Sequence, residues 1–484
     1  MKRLVLAGWP IAVAGMIVGL NLSSVDARPV KSLQRMASFW STSADSTRRL
    51  APGGQLEWFQ GPPPADLPVV RIDATKMDQS VVGFGAAMTD ASAKLFMHAL
   101  KPAQRTALFK ELFGKKGIAL GFVRVPIGAS DFSTAHYSLD DMPPGERDPA
   151  LTQFSLAEPL EAQIPALKAV RQINPHIVLM ATPWSAPAWM KSNDSLIKGY
   201  LRPDSYDAYA RYLVRYLSAM KAMGLAVDWM SVQNEPDFEP DNYPGMRFKP
   251  EARAAFIGQH IGPMLVDKGV GTRILDWDHN WDHPENPRTM LMDPVARRYV
   301  AGVAWHCYGG APDVMGQLRA DYPDKQVFFT ECSGGEWAPE WGGTLGWMTD
   351  NLMIVPARGG SRGTLLWNLA LDQDHGPHLG GCGDCRGVVT INTRTGAVTR
   401  NVEYYVLGQF SRFVRPGARR IETTEPGLIR NVGFRNPDGR IIIVLHNAGT
   451  VATQTVIASQ SGYLKLDLPP GEVATVVLSP RLGR

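Results

Sequence analysis

The feature that most constrains this chain is a recurrence. Eight short apolar runs follow one another, and each turns polar or aromatic at its C-terminal end. They are "SVVGFGAAMTD" (80–90), "IALGFVRVPIG" (118–128), "HIVLMATPWS" (176–185), "VDWMSVQNEP" (227–236), "RILDWDHNW" (273–281), "VAGVAWHCYG" (300–309), "QVFFTECSGG" (326–335) and "GTLLWNLALD" (363–372). Amphipathic helical patterns lie between several of them, as in "SYDAYARYLVRYLSAMKAMG" (205–224), where apolar residues recur at helical spacing. Strands alternating with helices pair in parallel, and eight such units predict an α/β chain folded as a closed (β/α)8 barrel. The polar ends are Thr89-Asp90, Arg124, Trp184, Asn234-Glu235, Asp276 to Asn280, His306 and Tyr308, Glu331, and Trp367-Asn368. Surface turns have no reason to gather such residues at the same end of eight successive strands. A barrel does, because its site is built at the C-terminal face.

The rest of the chain reads differently. Beyond about Arg386, "GRIIIVLHNAG", "TQTVIAS" and "YLKLDLPPGEVATVVL" show alternation and tight turns without helices, the pattern of a small antiparallel β-sandwich. The segment "LPVVRIDATKMDQSVV" ahead of the barrel also reads as strand and is expected to join that sandwich. At the N-terminus, Lys2 and Arg3 precede an apolar run to about Leu22, and Val25-Asp26-Ala27 offers small residues for signal cleavage. The expected organisation is a signal peptide (1–27), an N-terminal segment of the sandwich (28–80), the catalytic barrel (81–385) and the C-terminal sandwich (386–484). Such a chain would be secreted or periplasmic, with no stable membrane insertion after cleavage.

Net charge is +4 for 484 residues, too small to point to nucleic acid or an anionic membrane as partner. Thirteen Trp are many for this length, and exposed Trp faces suit sugar rings. Of the four cysteines, Cys382 and Cys385 form a C-x-x-C in the Gly-rich "GGCGDCRG" and are expected as a small disulfide. Cys307 and Cys332, at the ends of apolar strands, are expected as buried thiols.

Among the strand ends only Glu235 and Glu331 are glutamates, and strands four and seven lie roughly across the barrel mouth. Two facing carboxylates are what glycosidic cleavage requires: one protonated to donate to the leaving oxygen, the other ionised to attack or stabilise the anomeric carbon. "LDWDHNWDH" (275–283) and "LDQDHGPH" (371–378) are dense in Asp and His, but neither has the i, i+4 spacing of a zinc motif. They read as polar loops at the sugar-binding face, and neither metal nor cofactor is expected.

Six stretches in order, "GFGAAMTDASAKLF", "FVRVPIGASDFS", "TPWSAPAWMK", "QNEP", "FTECSGG" and "LLWNLALD", resemble glycoside hydrolase family thirty, from about Val81 to the C-terminus. The resemblance implies a retaining β-glycosidase, with Glu235 as general acid/base and Glu331 as nucleophile. It places Asn234 against the sugar 2-OH, and Asp90, Trp184, Trp367 and Asn368 in a glucose pocket. Arg124, His306 and Tyr308 it places as a polar shell around the nucleophile. Cys307 stands where the family often has an aromatic, and it is expected to point away from the pocket. Plainer roles stay open for some of these: Asp90 as a helix N-cap, Arg124 as an ion-pair partner, Trp184 and Trp367 as core. The substrate implied is a carbohydrate or glycolipid, either β-1,6-linked glucan or glucosylceramide. A xylan- or fucose-acting glycosidase and a non-catalytic carbohydrate-binding protein are the alternatives on the same scaffold.

Overall fold

A computed structural model describes residues 37–480, so the expected leader lies outside the described residues. Eight parallel strands close into a barrel: β1 (Gly83–Ala87), β2 (Phe122–Ile127), β3 (Val178–Pro183), β4 (Trp229–Ser231), β5 (Arg273–Asn280), β6 (Val300–His306), β7 (Gln326–Glu331) and β8 (Ser361–Asn368). Each pairs with its sequence neighbours, and β8 closes on β1. Seven fall inside the runs read from sequence and the eighth begins two residues ahead of its run, at Ser361; the amphipathic stretch after β3 forms the helix Tyr206–Ala222.

The barrel interior explains why the strands change character along their length. One buried layer is apolar: Phe122, Met180, Trp229, Leu275, Ala304, Phe328 and Leu365, one from each of β2 to β8. The first strand gives way to it, since a Cβ on Gly85 would lie 1.7 Å from the carbonyl oxygen of Phe122. Side chains two residues further along a strand return to the same face. Those residues are Arg124, Thr182, Ser231, His306, Thr330 and Trp367. An apolar floor is therefore overlaid by a hydrogen-bonding layer, and the cleft opens above it.

On β5 the count is broken. Its pairing with β6 slips between Trp277 and His279, and Trp277 and Asp278 both have left-handed backbone, φ 73° and 51°. Asp276 and Asp278, which strict alternation would put on one face, are therefore separated. Asp276 pairs with Arg253 of the outer helix Pro250–Phe256, whereas Asp278 pairs with Arg124 inside the barrel.

The appended domain is a nine-stranded sheet folded into two layers. The strands Ala37–Thr42, Ala51–Leu56 and Val69–Ser80 from before the barrel join six between Arg419 and Leu478. Val69–Ser80 turns the corner: its start pairs in parallel with Thr453–Ser459, and its remainder runs antiparallel to Arg419–Thr423. Residues such as Ile72, Ile443, Ile457 and Leu464 fill the space between the layers.

Two expectations need correction. The region after Arg386 is not free of helix, because Val402–Ser411 is an α-helix that packs on the barrel, with Phe410 and Phe84 rings 5.7 Å apart. All ten of its residues are buried, so it shows no amphipathic stripe to read; a helix covered on every side loses that signature. One side meets the barrel and the other the sandwich, where Gln409 donates to Thr42 at 2.8 Å. The barrel thus continues well past residue 385. Cys307 and Cys332 are also not free thiols but a disulfide joining the ends of β6 and β7, with Cα atoms 5.4 Å apart. Parallel neighbours whose residue ends pair at His306 and Glu331 bring the next residues of both strands together. Cys382 and Cys385 form the second disulfide, as their spacing suggested.

Candidate active site

β4 is only three residues long, and the chain then leaves it in a tight turn. Asn234 N–H donates to Pro183 of β3 at 2.8 Å, and Glu235 N–H donates to Asp278 of β5 at 3.1 Å. Glu235 has φ 44°, a left-handed conformation costing a non-glycine residue about 1 kcal/mol or more. Pinned on both sides, the turn aims the Glu235 carboxylate into a cleft of about 640 Å³ at the C-terminal mouth of the barrel. Glu331, at the end of β7, faces the same cleft.

Beneath them lies one buried charge network. Arg124, fully buried, donates through Nη1 to Glu331 Oε2 and through Nη2 to Asp278 at 2.7 Å and Asn234 Oδ1 at 2.7 Å. Asp278, also fully buried, accepts further bonds from Thr182, Ser231, Thr330 and His306. His306 bonds Asp278 through Nε2 and Glu235 Oε1 through Nδ1, each at 3.0 Å. The same Nδ1 is 3.9 Å from Glu331 Oε1. These two oxygens are therefore no more than about 7 Å apart, which admits the ~5–5.5 Å of retaining glycosidases and excludes the upper part of the ~6.5–9.5 Å inverting range. Tyr308 completes the contacts, its hydroxyl donating to Glu331 Oε1 at 3.1 Å.

The electrostatics follow from these contacts. Burial opposes ionisation of Asp278, but Arg124 and His306 outweigh it and hold the carboxyl far below the usual range. Burial pushes the His306 imidazolium down, yet the charge of Glu331 and the bonds to Asp278 and Glu235 prevail, raising its pKa to about 9. His306 is thus an imidazolium at neutral pH, donating from both nitrogens. Burial raises Glu331, and the charges of His306 and Arg124 only partly offset this. For Glu235, burial is overcome by the imidazoles of His279 and His306, which hold it below the ordinary range. Glu235 is therefore held toward its ionised form, and the proton of the Glu235–His306 hydrogen bond rests on the imidazole.

The expected site residues separate into three groups. Trp184, Asn234, Glu235, Tyr308, Glu331 and Trp367 line the cleft. The two tryptophans stack with centroids 5.0 Å apart, and the Arg124 guanidinium sits 4.8 Å from the Trp184 ring. Because Arg124 can only donate, it must hold the oxygen of Asn234, which leaves the Asn234 amide nitrogen for a ligand. Arg124 and His306 lie just behind the wall. His306 is closer to Glu235 than to Glu331, so it serves both carboxylates rather than the nucleophile's shell alone. Asn368 is buried beside Trp367, with Oδ1 accepting from Thr89 at 2.7 Å.

Asp90 is not the helix N-cap. Thr89 is the N-cap of the helix that follows, and Asp90 is turned inward, accepting from Ser133 at 2.7 Å and Tyr137 at 2.8 Å. A further carboxylate lining the cleft is Asp131, four residues beyond β2. Burial, followed by the charges of Glu331 and Glu235, pushes it well above the usual range. Asp131 sits in "FVRVPIGASDFS", already singled out, but past the strand end where polar residues were sought. His279 and Asp278 were present in "LDWDHNWDH", yet nothing short of the β5 bulge separates their roles. Tyr243, Phe238 and Trp337 arrive from loops. Trp341, close by in sequence, instead donates to the Ser43 carbonyl at 3.0 Å at the sandwich junction.

Ligand-type atoms of Glu235, His279 and His306 lie within 4.8 Å of one another, the one such grouping among the described residues. His306 Nδ1 is engaged with Glu235, and a carboxylate pair carries out glycosidic cleavage without an ion.

A barrel mouth holding two carboxylates over a buried arginine, walled by stacked tryptophans, defines a glycoside hydrolase site. Residues 81–414 match the glycosyl hydrolase family 30 TIM-barrel domain and residues 417–476 the family's beta sandwich domain; the chain belongs to glycoside hydrolase family 30. It is 32% identical to an endo-1,6-β-D-glucanase of Aspergillus fumigatus, over 96% of this chain and 99% of that one. It is 28% identical to the lysosomal acid glucosylceramidase of Mus musculus, over 94% and 92%. A solved endo-β1,6-glucanase superposes with TM-score 0.85 at 30% identity, covering 92% of this chain and 99% of that one.

Replacing Asp278 with Asn removes the charge that balances Arg124 and His306. Breaking a buried pair in this way costs about 3–5 kcal/mol. Urea unfolding should show that loss, and kcat on an aryl β-glucoside should fall by roughly 10²-fold or more as Arg124 and His306 reorient.

Proposed function

We propose that the protein is a retaining β-glucosidase acting on β-1,6-linked glucan by double displacement. The observation that carries the mechanism is the single imidazole, His306, lying within 4 Å of both carboxylates. Glu331, oriented by Arg124 and Tyr308, attacks the anomeric carbon as the bond to the leaving oxygen breaks. That oxygen takes the proton held on the Glu235–His306 hydrogen bond. In the second step Glu235 removes a proton from water, the water oxygen attacks the same carbon, and the bond to Glu331 breaks. Asn234 meets the 2-OH through its free amide nitrogen, and Asp131 offers a carboxyl to hydroxyls further along the ring. Positive charge building on the sugar is stabilised by Glu331 beneath it.

The substrate assignment rests on the full-length likeness to endo-1,6-glucanases, which exceeds that to the glucosylceramidase. The open side of the cleft carries Phe238, Tyr308 and Trp337, each about half exposed, and a glucan leaving group would stack on these rings. We assign export to the chain as well. The leader read from sequence and two disulfides both suit an oxidising compartment.

The decisive experiment compares pustulan (a β-1,6-glucan), glucosylceramide and aryl β-glucoside, β-xyloside and β-fucoside. Pustulan and the aryl glucoside should be cleaved well; preference for glucosylceramide or xyloside would overturn the substrate assignment. Glu331→Gln should lose at least about 10⁴-fold in kcat. Glu235→Ala should keep turnover of aryl glucosides with good leaving groups and be rescued by azide. Equal loss on all substrates without rescue would contradict the acid/base role.

The pH dependence of kcat/KM has a predicted sign on both sides. Glu331 must be ionised, and its pKa is raised above 4.5, so activity falls with acid at a pH above the ordinary glutamate value. The donor proton is lost as His306 titrates near 9, so activity falls again in that alkaline range. A profile still rising at pH 10 would remove His306 from the proton's path.

A further inference from the structure

We propose that the Cys307–Cys332 disulfide is a positioning element of the active site, setting His306 and Tyr308 against Glu331. The inference rests on the roles given above to Glu235 and Glu331. Its basis is placement. Cys307 lies between two residues that each touch a carboxylate: His306, 3.0 Å from Glu235, and Tyr308, 3.1 Å from Glu331. Cys332 immediately follows Glu331. One covalent bond therefore joins the backbone carrying Glu331 to the backbone carrying the hydrogen-bond partners of both acids.

The backbone ladder does not do this alone. β6 and β7 pair regularly up to Phe329, then slip, and their pairing ends at Glu331 opposite His306. The residues that need the most exact placement thus sit where the ladder has become irregular and then stops. Tyr308 is 48% exposed, and beyond its bond to Glu331 it is held by a 3.1 Å bond from its N–H to Asn280. The carbonyl of Cys332 accepts from Trp367 N–H at 2.9 Å, so the same cross-link also bears on a cleft tryptophan. A chain of this size buries ample core without staples, which small secreted domains need. The two strands are already neighbours in a closed barrel. Local alignment, rather than survival of the fold, is what the bond adds here.

The test is Cys307→Ala/Cys332→Ala in the full chain. We expect kcat on an aryl β-glucoside to fall about 10–100-fold with KM within about threefold, since displacements of an ångström at reacting groups have effects of that size. We also expect the alkaline limb of kcat/KM to move to lower pH, as His306 loosens from the acids that hold its proton. A lower melting temperature with kcat and pH profile unchanged would make the bond merely structural and overturn the proposal. So would recovery of kcat in Cys307→Val/Cys332→Ala, which restores volume without the bond. If these variants do not fold, the native enzyme is reduced with a phosphine and peptide mapping identifies molecules opened at this pair. Equal activity of opened and closed molecules overturns the proposal; lower kcat in the opened ones supports it. Failure of the underlying roles is seen separately: turnover by Glu331→Gln would remove them, whatever the cysteine variants do.

Discussion

The active site is organised around one buried cation. Arg124 is fully enclosed in the barrel and cannot shed its charge, so anions must gather round it, and Glu331 and Asp278 do. Asp278 in turn holds His306, and His306 reaches Glu235. The two acids are far apart in sequence, yet each is linked to the same guanidinium by a short chain of hydrogen bonds. A carboxylate that must attack carbon benefits from a fixed positive neighbour, which favours its ionised form against the pull of burial. A carboxylate that must give and take a proton benefits from an imidazole that stores one. The network supplies both from three side chains.

That network needs a dry, rigid base, and the apolar layer from β2 to β8 provides it. The polar layer sits one side-chain repeat above, so the strands' two-residue period converts a linear pattern into a stacked one. The departures from that period are where function concentrates. Slips in pairing precede Glu331 and divide Asp276 from Asp278, and left-handed backbone occurs at Glu235, Trp277 and Asp278. Strain of this kind persists only where surrounding contacts over-determine it, and here it aims side chains that regular strands would point elsewhere.

This division also decides what could be read from sequence. The eight strands, the sandwich and the two opposing glutamates follow from periodicity and from polar residues placed at strand ends, and the structure has them in those places. The buried helix Val402–Ser411 carried no stripe to detect. Asp278 was hidden by a bulge that alternation does not foresee, and Asp131 by lying in a loop rather than at a strand end. Asp90, which the resemblance placed in a glucose pocket, accepts from Ser133 and Tyr137 inside the fold. The cross-link between Cys307 and Cys332 depends on two strands being neighbours in register, a fact of closure and not of spacing.

In the proposed mechanism Glu331 forms a covalent bond to the sugar while Glu235 only handles protons. The most direct measurement traps that intermediate with a 2-deoxy-2-fluoroglucosyl donor bearing a good leaving group and locates the label by mass spectrometry of peptides. One fluoroglucosyl group per chain is expected, carried by the peptide containing Glu331 and released when turnover resumes. A label on Glu235, or steady hydrolysis with no trapped sugar at all, would contradict it.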